Sequence, residues 1–538
     1  MVSSYHRFIT LWEALCQFAK ERRVNSTEMQ APRRRPGLRA KDMIFLIAMP
    51  AVMLVFASSG GQERPLAETR PVTFTLSMAE DPDSLDPHRS AASITEQVML
   101  NVFDGLLNPT PDGGVEPGIA ESYDISEDGL TYTFTLRPDV FFHNGEPVTP
   151  DDVRFTLNRL RGADGEPGLS SEFVDVTAVE TPDDRTVVIR LSQPNSSFEK
   201  FLYRAILPAG YQDHATHPIG AGPYRFVEYI PQNRIVLERF EQYYGEVGDV
   251  ERVVVRVITD ADARLLALRS GEIDFTNVSP DRIGDVEDRF RVVRTPANSV
   301  FILGMNNAHA PLDDERVRQA INFAIDRQEI IDFVFNGFGV ELASSMSPAM
   351  ADYYDESLIG MYDTDLDAAR ALLAEAGYAD GFPIELRVSS HNEIYTNAAQ
   401  VIQQQLSRVG IEVRIQVIEW SMWLSDVYTT RNFETTLIDF TGKIDPYPVL
   451  RRYISDFGRN FLNHDSPQFD SVMERALRST DPSERKLLYR EAQAILARTV
   501  PAVFIADYEL IFAMDDRFDG YTPYPFFFHD IAKLRYAR

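Results

Sequence analysis

Few residues of this chain have the type and spacing that chemistry requires. His214 and His217 lie three apart in a stretch that is typical of a loop, and His391 is isolated in the sequence. A zinc site needs three or four ligands in a fixed arrangement, so the pair His214 and His217 alone does not predict a zinc site. The carboxylate pair Asp313-Asp314 precedes a helical pattern and is better explained as a helix cap than as a general acid and base.

Familiar catalytic motifs are also missing from the sequence. It contains no Gly-x-x-x-x-Gly-Lys-Ser/Thr nucleotide loop, no Gly-x-Ser-x-Gly elbow and no His-Glu-x-x-His metal pair. Cys16 is the only cysteine and lies in the N-terminal extension, which excludes an intrachain disulfide and leaves the mature body without a thiolate for catalysis. We therefore expect no enzyme activity, no metal and no cofactor.

Two tryptophans are better placed to contact a ligand. Trp420 and Trp423 follow a predicted strand from Ile411 to Ile418, and α/β proteins bind ligands beyond the carboxyl ends of their strands. Aromatic rings at that position would stack on a solute or exclude water from it. The alternative is that both rings pack a short helix against the body of the protein.

Hydrophobic periodicity predicts the elements that position these residues. Within residues 128–160, apolar residues from Leu130 to Leu136 alternate with polar ones, which indicates a strand with one buried face. Asn144-Gly145 predicts a turn. The segment Thr149 to Asp152 has the capping residue, proline and early acids that open a helix.

Two β-α-β patterns indicate an α/β protein. The first has an apolar strand from Val250 to Ile258, which suits a sheet covered on both faces, a helix behind Asp260 that ends at Gly271, and a returning strand near Phe275. The second has two strands on either side of a helix, over Ile384 to Val388, Tyr395 to Val409 and Ile411 to Val417.

The charge of the chain excludes two classes of partner. Its formal net charge is −28, and the N-terminal segment is basic, so the remainder is more acidic still. Such a body repels the phosphates of nucleic acid and of anionic lipid. We expect neither as a partner.

The N-terminus has the order of a secretory signal peptide. Basic residues from Arg33 to Lys41 precede an apolar run from Met43 to Ala57, and the small residues Ser58 to Gly61 follow. The run is shorter than the ~20 residues that a membrane-spanning helix needs, which makes an uncleaved anchor the weaker alternative. A lipoprotein signal would need a cysteine directly after the run. We therefore expect residues 1–61 to be an extension and signal peptide, and the mature protein to be free in the periplasm.

Several longer runs closely resemble segments of one known family. They are Asp128 to Leu160 (DGLTYTFTLRPDVFFHNGEPVTPDDVRFTLNRL), His217 to Gly245, Leu303 to Gly339 and Asp481 to Phe504. On these runs the chain resembles the family 5 solute-binding proteins of ABC importers, the dipeptide and oligopeptide binders. The likeness covers about Val72 to Arg538, almost the whole mature chain.

The resemblance implies a fold and a division into lobes. The expected fold is α/β and two-lobed, a periplasmic-binding-protein fold (type II, cluster C-like) with an extra mostly β subdomain in the larger lobe. Lobe I would comprise residues 66–305 and 508–538, with the β-rich subdomain at about 108–215, and lobe II would comprise residues 306–507. These boundaries rest on the resemblance and not on periodicity.

One position bears on the choice of solute. In the peptide-binding members, an aspartate in a tryptophan-containing segment before an Asp-Pro receives the ammonium group of the peptide. The corresponding stretch, Ile438 to Pro446, has Phe440 in place of the tryptophan and Lys443 in place of the aspartate, although a two-residue gap would move Asp445 into that role. A lysine repels an ammonium group, so Lys443 favours an anionic or sugar-like solute. The alternative is that Lys443 points into solvent.

Together these observations predict a capture protein. The resemblance implies the substrate-binding component of an ABC-type importer, a monomer that holds a peptide-like or other small polar solute between two lobes and delivers it to permease subunits in the membrane. The alternatives are an exported ligand sensor or chaperone-like binding protein, and a binder of an anionic or sugar-like solute instead of peptides. The candidate ligand-binding residues are Lys443, Phe440, Thr441, Trp420, Trp423, Asn306 and Glu393.

Overall fold

The computed structural model describes residues 71–90, 92–163, 165–524, 526 and 528–537. The predicted signal peptide and Cys16 lie outside these residues. Within the described ranges, no helix has the length and apolar character needed to cross a membrane.

Most helices begin at a residue that caps them. In chain order they are α1 (Ser93–Met99), α2 (Pro150–Arg161), α3 (Ala261–Ser270), α4 (Glu315–Ala324), α5 (Arg327–Val334), α6 (Leu366–Glu375), α7 (Glu393–Ser407), α8 (Trp420–Met422), α9 (Pro446–Leu450), α10 (Pro467–Arg478) and α11 (Pro482–Thr499). A π-helical segment, Trp423–Thr429, continues α8. The predicted caps are confirmed: Thr149 and Asp152 form a capping box on α2, and Asp260 and Asp314 accept backbone hydrogen bonds at the starts of α3 and α4.

The described chain has twenty strands. They are β1 (Thr73–Met78), β2 (Leu107–Pro109), β3 (Val115–Pro117), β4 (Ala120–Ile125), β5 (Thr131–Leu136), β6 (Val176–Glu180), β7 (Thr186–Leu191), β8 (Tyr224–Ile230), β9 (Arg234–Arg239), β10 (Arg252–Val257), β11 (Phe275–Asn277), β12 (Arg291–Pro296), β13 (Ser299–Met305), β14 (Gly339–Glu341), β15 (Phe382–Ser389), β16 (Ile411–Ile418), β17 (Thr435–Thr441), β18 (Ala502–Met514), β19 (Phe518–Asp519) and β20 (Arg535–Tyr536).

One long sheet runs through the molecule. Its strand order is β16-β15-β17-β13-β18-β11-β1-β10-β9-β8, and β12 and β14 also pair with β18. A separate four-stranded sheet has the order β4-β5-β7-β6, and two small pairs, β2–β3 and β19–β20, complete the strands of the described chain. Both predicted β-α-β units are confirmed, because β1 pairs in parallel with β10 and β11, and β15 pairs in parallel with β16. The fold is therefore mixed α/β, as expected.

One expectation about β10 was wrong. The apolar run predicted a strand covered on both faces, but Val253 and Val255 are fully buried while Val254 is only half-buried. Helices and loops therefore cover one face of this part of the sheet more completely than the other.

Buried apolar side chains form four clusters. The largest draws its members from residues between Val300 and Ala506. A second combines strands β1, β9 and β10 with residues from Phe512 to Leu534, a third lies within 106–221 around the four-stranded sheet, and a small fourth surrounds α3. The first half of β18 belongs to the largest cluster and the second half to two others, so β18 connects them. The exact lobe boundaries given above remain predictions.

A buried carboxylate lies where β18 passes between the clusters. Asp507 is 1% exposed and accepts hydrogen bonds from the Ser299 amide, at 3.0 Å, and from the Ser347 hydroxyl. Burial nevertheless raises the pKa of Asp507 to about 7, because removal of water outweighs these donors.

This raised pKa has a consequence for stability. Between about pH 4, near the unfolded pKa, and pH 7, the folded protein keeps a proton that the unfolded chain releases, so this group lowers the free energy of unfolding as the pH rises. We expect Asp507→Asn to remove this pH-dependent decrease in the free energy of unfolding, which we put on the order of a few kcal/mol. Urea denaturation at several pH values measures it. The exposed Asp516→Asn is the control, and equal pH slopes in wild type and D507N would contradict the expectation.

Candidate functional site

Three parallel strand ends create one edge of the sheet. β15 pairs in parallel with β16, and Ser389 lies opposite Ile418. β17 also runs parallel to β15 and continues to Thr441. Since the carboxyl ends of all three strands point the same way, the residues that follow them meet at this edge, where α/β sheets bind ligands. These residues are His391, Trp420 and Lys443, and we call this region the late edge.

Trp420 is the exposed aromatic residue of the late edge. Its side chain is 38% exposed, and its ring lies 5.0 Å from that of Trp423 at an interplanar angle of 7° and 4.5 Å from the ring of His391. Glu393, the first residue of α7, follows His391 by two residues in the sequence, and it is also exposed. The structure thus leaves Trp420 and Glu393 accessible, as a ligand contact requires.

The carboxyl end of β1, a strand from the start of the described chain, lies near the late edge. Burial lowers the pKa of His391, and the negative charges of Asp439 and Glu80 partly oppose that effect. Glu80 follows β1, whose carboxyl end therefore lies near His391. Residues from distant parts of the chain consequently flank the same space.

Trp423 has a different environment from Trp420. It is 2% exposed and belongs to the largest core cluster, and its indole N–H donates to Thr436 Oγ1 at 2.9 Å. Its ring supports that of Trp420 from behind. The packing alternative therefore describes Trp423, while Trp420 retains a free face.

The structure does not bring Asn306 to the late edge. Asn306 follows β13, which is antiparallel to β17, with Met305 opposite Thr435 at the start of β17. It therefore lies at the far end of the strands from Lys443. Its amide donates to two backbone carbonyls, of Arg431 and Phe433, and accepts from Asn463. These bonds occupy the side chain that had been expected to face the cleft.

A short loop after β17 carries Lys443. The backbone of this loop is held against Asn298, whose side chain donates to the Lys443 carbonyl at 3.3 Å. Gly442 is required here, since a Cβ atom would lie 2.0 Å from the Asn298 carbonyl oxygen. The Lys443 side chain is exposed, and within the described ranges its ammonium group makes no hydrogen bond or ion pair.

Lys443 lines a cavity of about 170 Å³ together with residues from the early chain. Thr441 and Gly442 belong to the same wall, while Glu96, Glu172 and Tyr203 form the other. Sequence reasoning missed this second wall. Its members lie far apart in the sequence, on α1, in a 3₁₀ turn and in a loop, and no periodic pattern marks them.

We call the wall formed by Glu96, Glu172 and Tyr203 the early wall. It carries an excess of negative charge. Arg204 pairs with Glu172 at 3.1 Å and with Glu96 at 3.5 Å, so two carboxylates share one guanidinium group. Across the cavity, Lys443 has a positive charge without a protein partner in the described chain. The cavity is therefore negative on one wall and positive on the other.

Asp445 serves the structure of the loop. It is fully buried, accepts from the Ser197 hydroxyl at 2.6 Å and from the Tyr447 amide at 2.9 Å, and forms an ion pair with Arg485. These partners use both carboxylate oxygens. Asp445 is thus poorly placed to receive an ammonium group, which favours the alignment that puts Lys443 at that position.

Comparisons with known proteins identify a matching family model and similar sequences. The model of the bacterial extracellular solute-binding proteins, family 5, matches residues 114–461. The glutathione-binding protein GsiB of Pectobacterium atrosepticum is 30% identical over 466 residues, which cover 82% of this chain and 90% of that protein.

Solved structures show the same fold. The substrate-binding protein CtaP of an ABC transporter from Listeria monocytogenes superposes with a TM-score of 0.78 at 26% identity, covering 87% of this chain and all (100%) of CtaP. The periplasmic binding protein DppA from Helicobacter pylori, in complex with the peptide STSA, superposes with a TM-score of 0.73 at 26% identity, covering 87% of this chain and 98% of that one.

The two tryptophans should differ in their contribution to stability. We expect Trp423→Ala to lower the free energy of unfolding by about 3–5 kcal/mol, because it opens a cavity and removes the hydrogen bond to Thr436. Trp420→Ala should cost less than about 1.5 kcal/mol, since that ring mainly loses one stacking contact. Urea denaturation of both variants measures the difference, and equal losses would contradict the assignment.

Proposed function

Because this chain belongs to the bacterial extracellular solute-binding proteins of family 5, we propose that it binds a small solute carrying both acidic and amino groups in the cavity lined by Lys443. It is the substrate-binding component of an ABC-type importer. An acidic group of the solute meets Lys443, and its amino group lies toward Glu96 and Glu172.

The free charge of Lys443 is the observation that carries the proposal. Two unit charges about 4 Å apart interact by roughly 4 kcal/mol at an effective dielectric constant near 20. A purely anionic solute would gain this energy at Lys443 but would be repelled by the early wall. A solute with charges of both signs satisfies both walls.

The charges of glutathione fit this arrangement. Glutathione carries an ammonium group and two carboxylates at neutral pH, and a related protein is named for binding it. The orientation in our proposal places a carboxylate, and not the ammonium group, at the loop after β17. The proposal therefore accounts for a lysine where peptide-binding relatives of the family have an aspartate.

The remaining contacts come from the late edge. Trp420 stacks on the solute with Trp423 as its support, Phe440 and Thr441 shape the wall next to Lys443, and Glu393 contacts polar groups at the rim. Asn306 is not part of the proposed site. The reaction is capture without chemical change, so the proposal includes no catalytic residue.

Closure of two lobes accompanies binding in this proposal. The lobes comprise residues 66–305 with 508–538, and 306–507, and strands such as β18 connect them. A solute that contacts both walls stabilises the closed arrangement, because it loses contacts when the walls separate. The closed form then docks on the permease. We place the mature protein in the periplasm as a monomer, exported by a cleaved signal within residues 1–61.

Charge substitutions at Lys443 test the site. We expect Lys443→Gln to weaken glutathione binding about tenfold and Lys443→Glu about a hundredfold or more, because the latter replaces attraction by repulsion. Isothermal titration calorimetry measures the affinities. The control is Lys486→Gln, which changes a surface lysine paired with Asp352. An unchanged affinity of K443E for glutathione would contradict the assignment of Lys443 to the binding site. If N-acetylated glutathione, which lacks the ammonium group, binds as tightly as glutathione, the early wall does not bind the amino group.

Small-angle X-ray scattering tests lobe closure. The radius of gyration of the mature protein should decrease when glutathione is added, and the forward scattering should give the mass of a monomer. An unchanged radius under saturating solute, or a mass of two chains, would contradict the respective part of the proposal.

A further inference from the structure

Arg452 is a half-buried cation that stacks on Phe440, one of the candidate ligand-binding residues. It lies in a 3₁₀ turn, Arg451–Tyr453, that follows α9. Its guanidinium carbon lies 3.8 Å from the centroid of the Phe440 ring. Phe440 is near the end of β17, directly before the Thr441–Lys443 segment that lines the cavity.

The charge of Arg452 has no anionic partner in the described part of the chain. No carboxylate there pairs with it and no acceptor takes its hydrogen bonds; the neighbouring groups that act on its charge are Tyr453, Tyr428 and Arg451. Burial lowers the pKa of Arg452 to about 10. By contrast, the buried Arg485 pairs with Asp445.

An unpaired, partly desolvated charge is costly to a fold. The chain is rich in carboxylates, with 81 Asp and Glu residues, yet none of those in the described ranges pairs with Arg452. A purely structural role for Arg452 would be served better by a neutral residue stacked on Phe440. The cost is explained if an anion from outside the chain binds there.

The stacked geometry also suits an acidic group. With one face of the guanidinium group covered by Phe440, the N–H donors point outward in its plane. A carboxylate or phosphate accepts two parallel hydrogen bonds from such an edge. Stacking on the ring fixes the direction of the donors before the ligand arrives.

We propose that Arg452 binds a second acidic group of the solute, so that the site recognises a diacid. This inference rests on the proposed function, in which Lys443 holds the first acidic group. Phe440 links the two along the chain, because its ring stacks on Arg452 and the segment directly after it, Thr441 to Lys443, lines the cavity. Two free cations and the negative early wall then match a solute with two acidic groups and one amine.

Paired probes and paired variants test the inference on the mature protein. The probes are glutathione against its glycine monoethyl ester, and glutamate against its γ-methyl ester, so that every probe also carries an amino group. The variants are Arg452→Gln, Arg452→Lys and the control Arg451→Gln, whose guanidinium group stacks on Phe457 at 5.3 Å. Calorimetry gives each diacid-to-monoester affinity ratio, and urea denaturation of the ligand-free proteins gives their stabilities.

We expect wild type and R451Q to bind each diacid at least tenfold more tightly than its ester. In R452Q the ratio should fall to about one, and R452K should lie between, because lysine keeps the charge but loses the paired donors. The ligand-free R452Q protein should be as stable as wild type or more stable, because it lacks an uncompensated charge.

Three outcomes would overturn the inference. The first is a diacid-to-monoester affinity ratio in R452Q equal to that of wild type. The second is a wild-type ratio near one, or no binding of any diacid probe. The third is a loss of ligand-free stability in R452Q as large as that in W423A. Failure of the proposed function is a separate result, since it leaves K443E binding as tightly as wild type whatever happens at Arg452.

Discussion

The buried carboxylate of Asp445 holds the loop that presents Lys443. It accepts from Ser197 and from the start of α9 and pairs with Arg485 on α11, so residues from three distant segments converge on one charge. Removal of either charged partner would leave the other buried and uncompensated. The position of Lys443 therefore depends on this network. If the lobes separate as proposed, the Ser197 hydrogen bond is a contact that water must replace.

The continuity of β18 limits how the molecule can move. Its first half packs in the largest core cluster and its second half in two others, and the strand is hydrogen-bonded to β13 and β14 at one end and to β11 and β12 at the other. Motion between the clusters must bend the chain near Asp507 without breaking the core on either side. The chain from β12 to β13 crosses the same region through Asn298, which has a positive φ of 50°.

The proposed site would lower the stability of the ligand-free protein in exchange for recognition of the solute. Many cations in the described part of the chain pair with carboxylates, such as Arg159 and Arg485, while Lys443 and Arg452 have no such partner there. Unpaired charges destabilise the free protein, and ligand binding can recover that energy. Such trade-offs are typical of binding sites. The negative charge of the early wall would further restrict the solutes that the proposed site accepts, because it disfavours solutes that are only anionic.

The sequence by itself determined the local structure and the kind of protein. Alternation predicted β5, capping residues predicted the starts of α2, α3 and α4, and the family-like runs indicated the fold and the import function, since all these signals lie within short segments. It also named Lys443 and Trp420 as candidate ligand contacts, and that assignment stays a prediction. It could not separate Trp420 from Trp423, whose types and contexts are alike, and it placed Asn306 in the cleft. Only the tertiary structure decided these points, because strand direction in the sheet puts Asn306 at the opposite end from Lys443. The same reason applies to Glu96, Glu172 and Arg452: the partners of a charged side chain depend on which distant residues meet, and that is set by chain packing and not by sequence spacing.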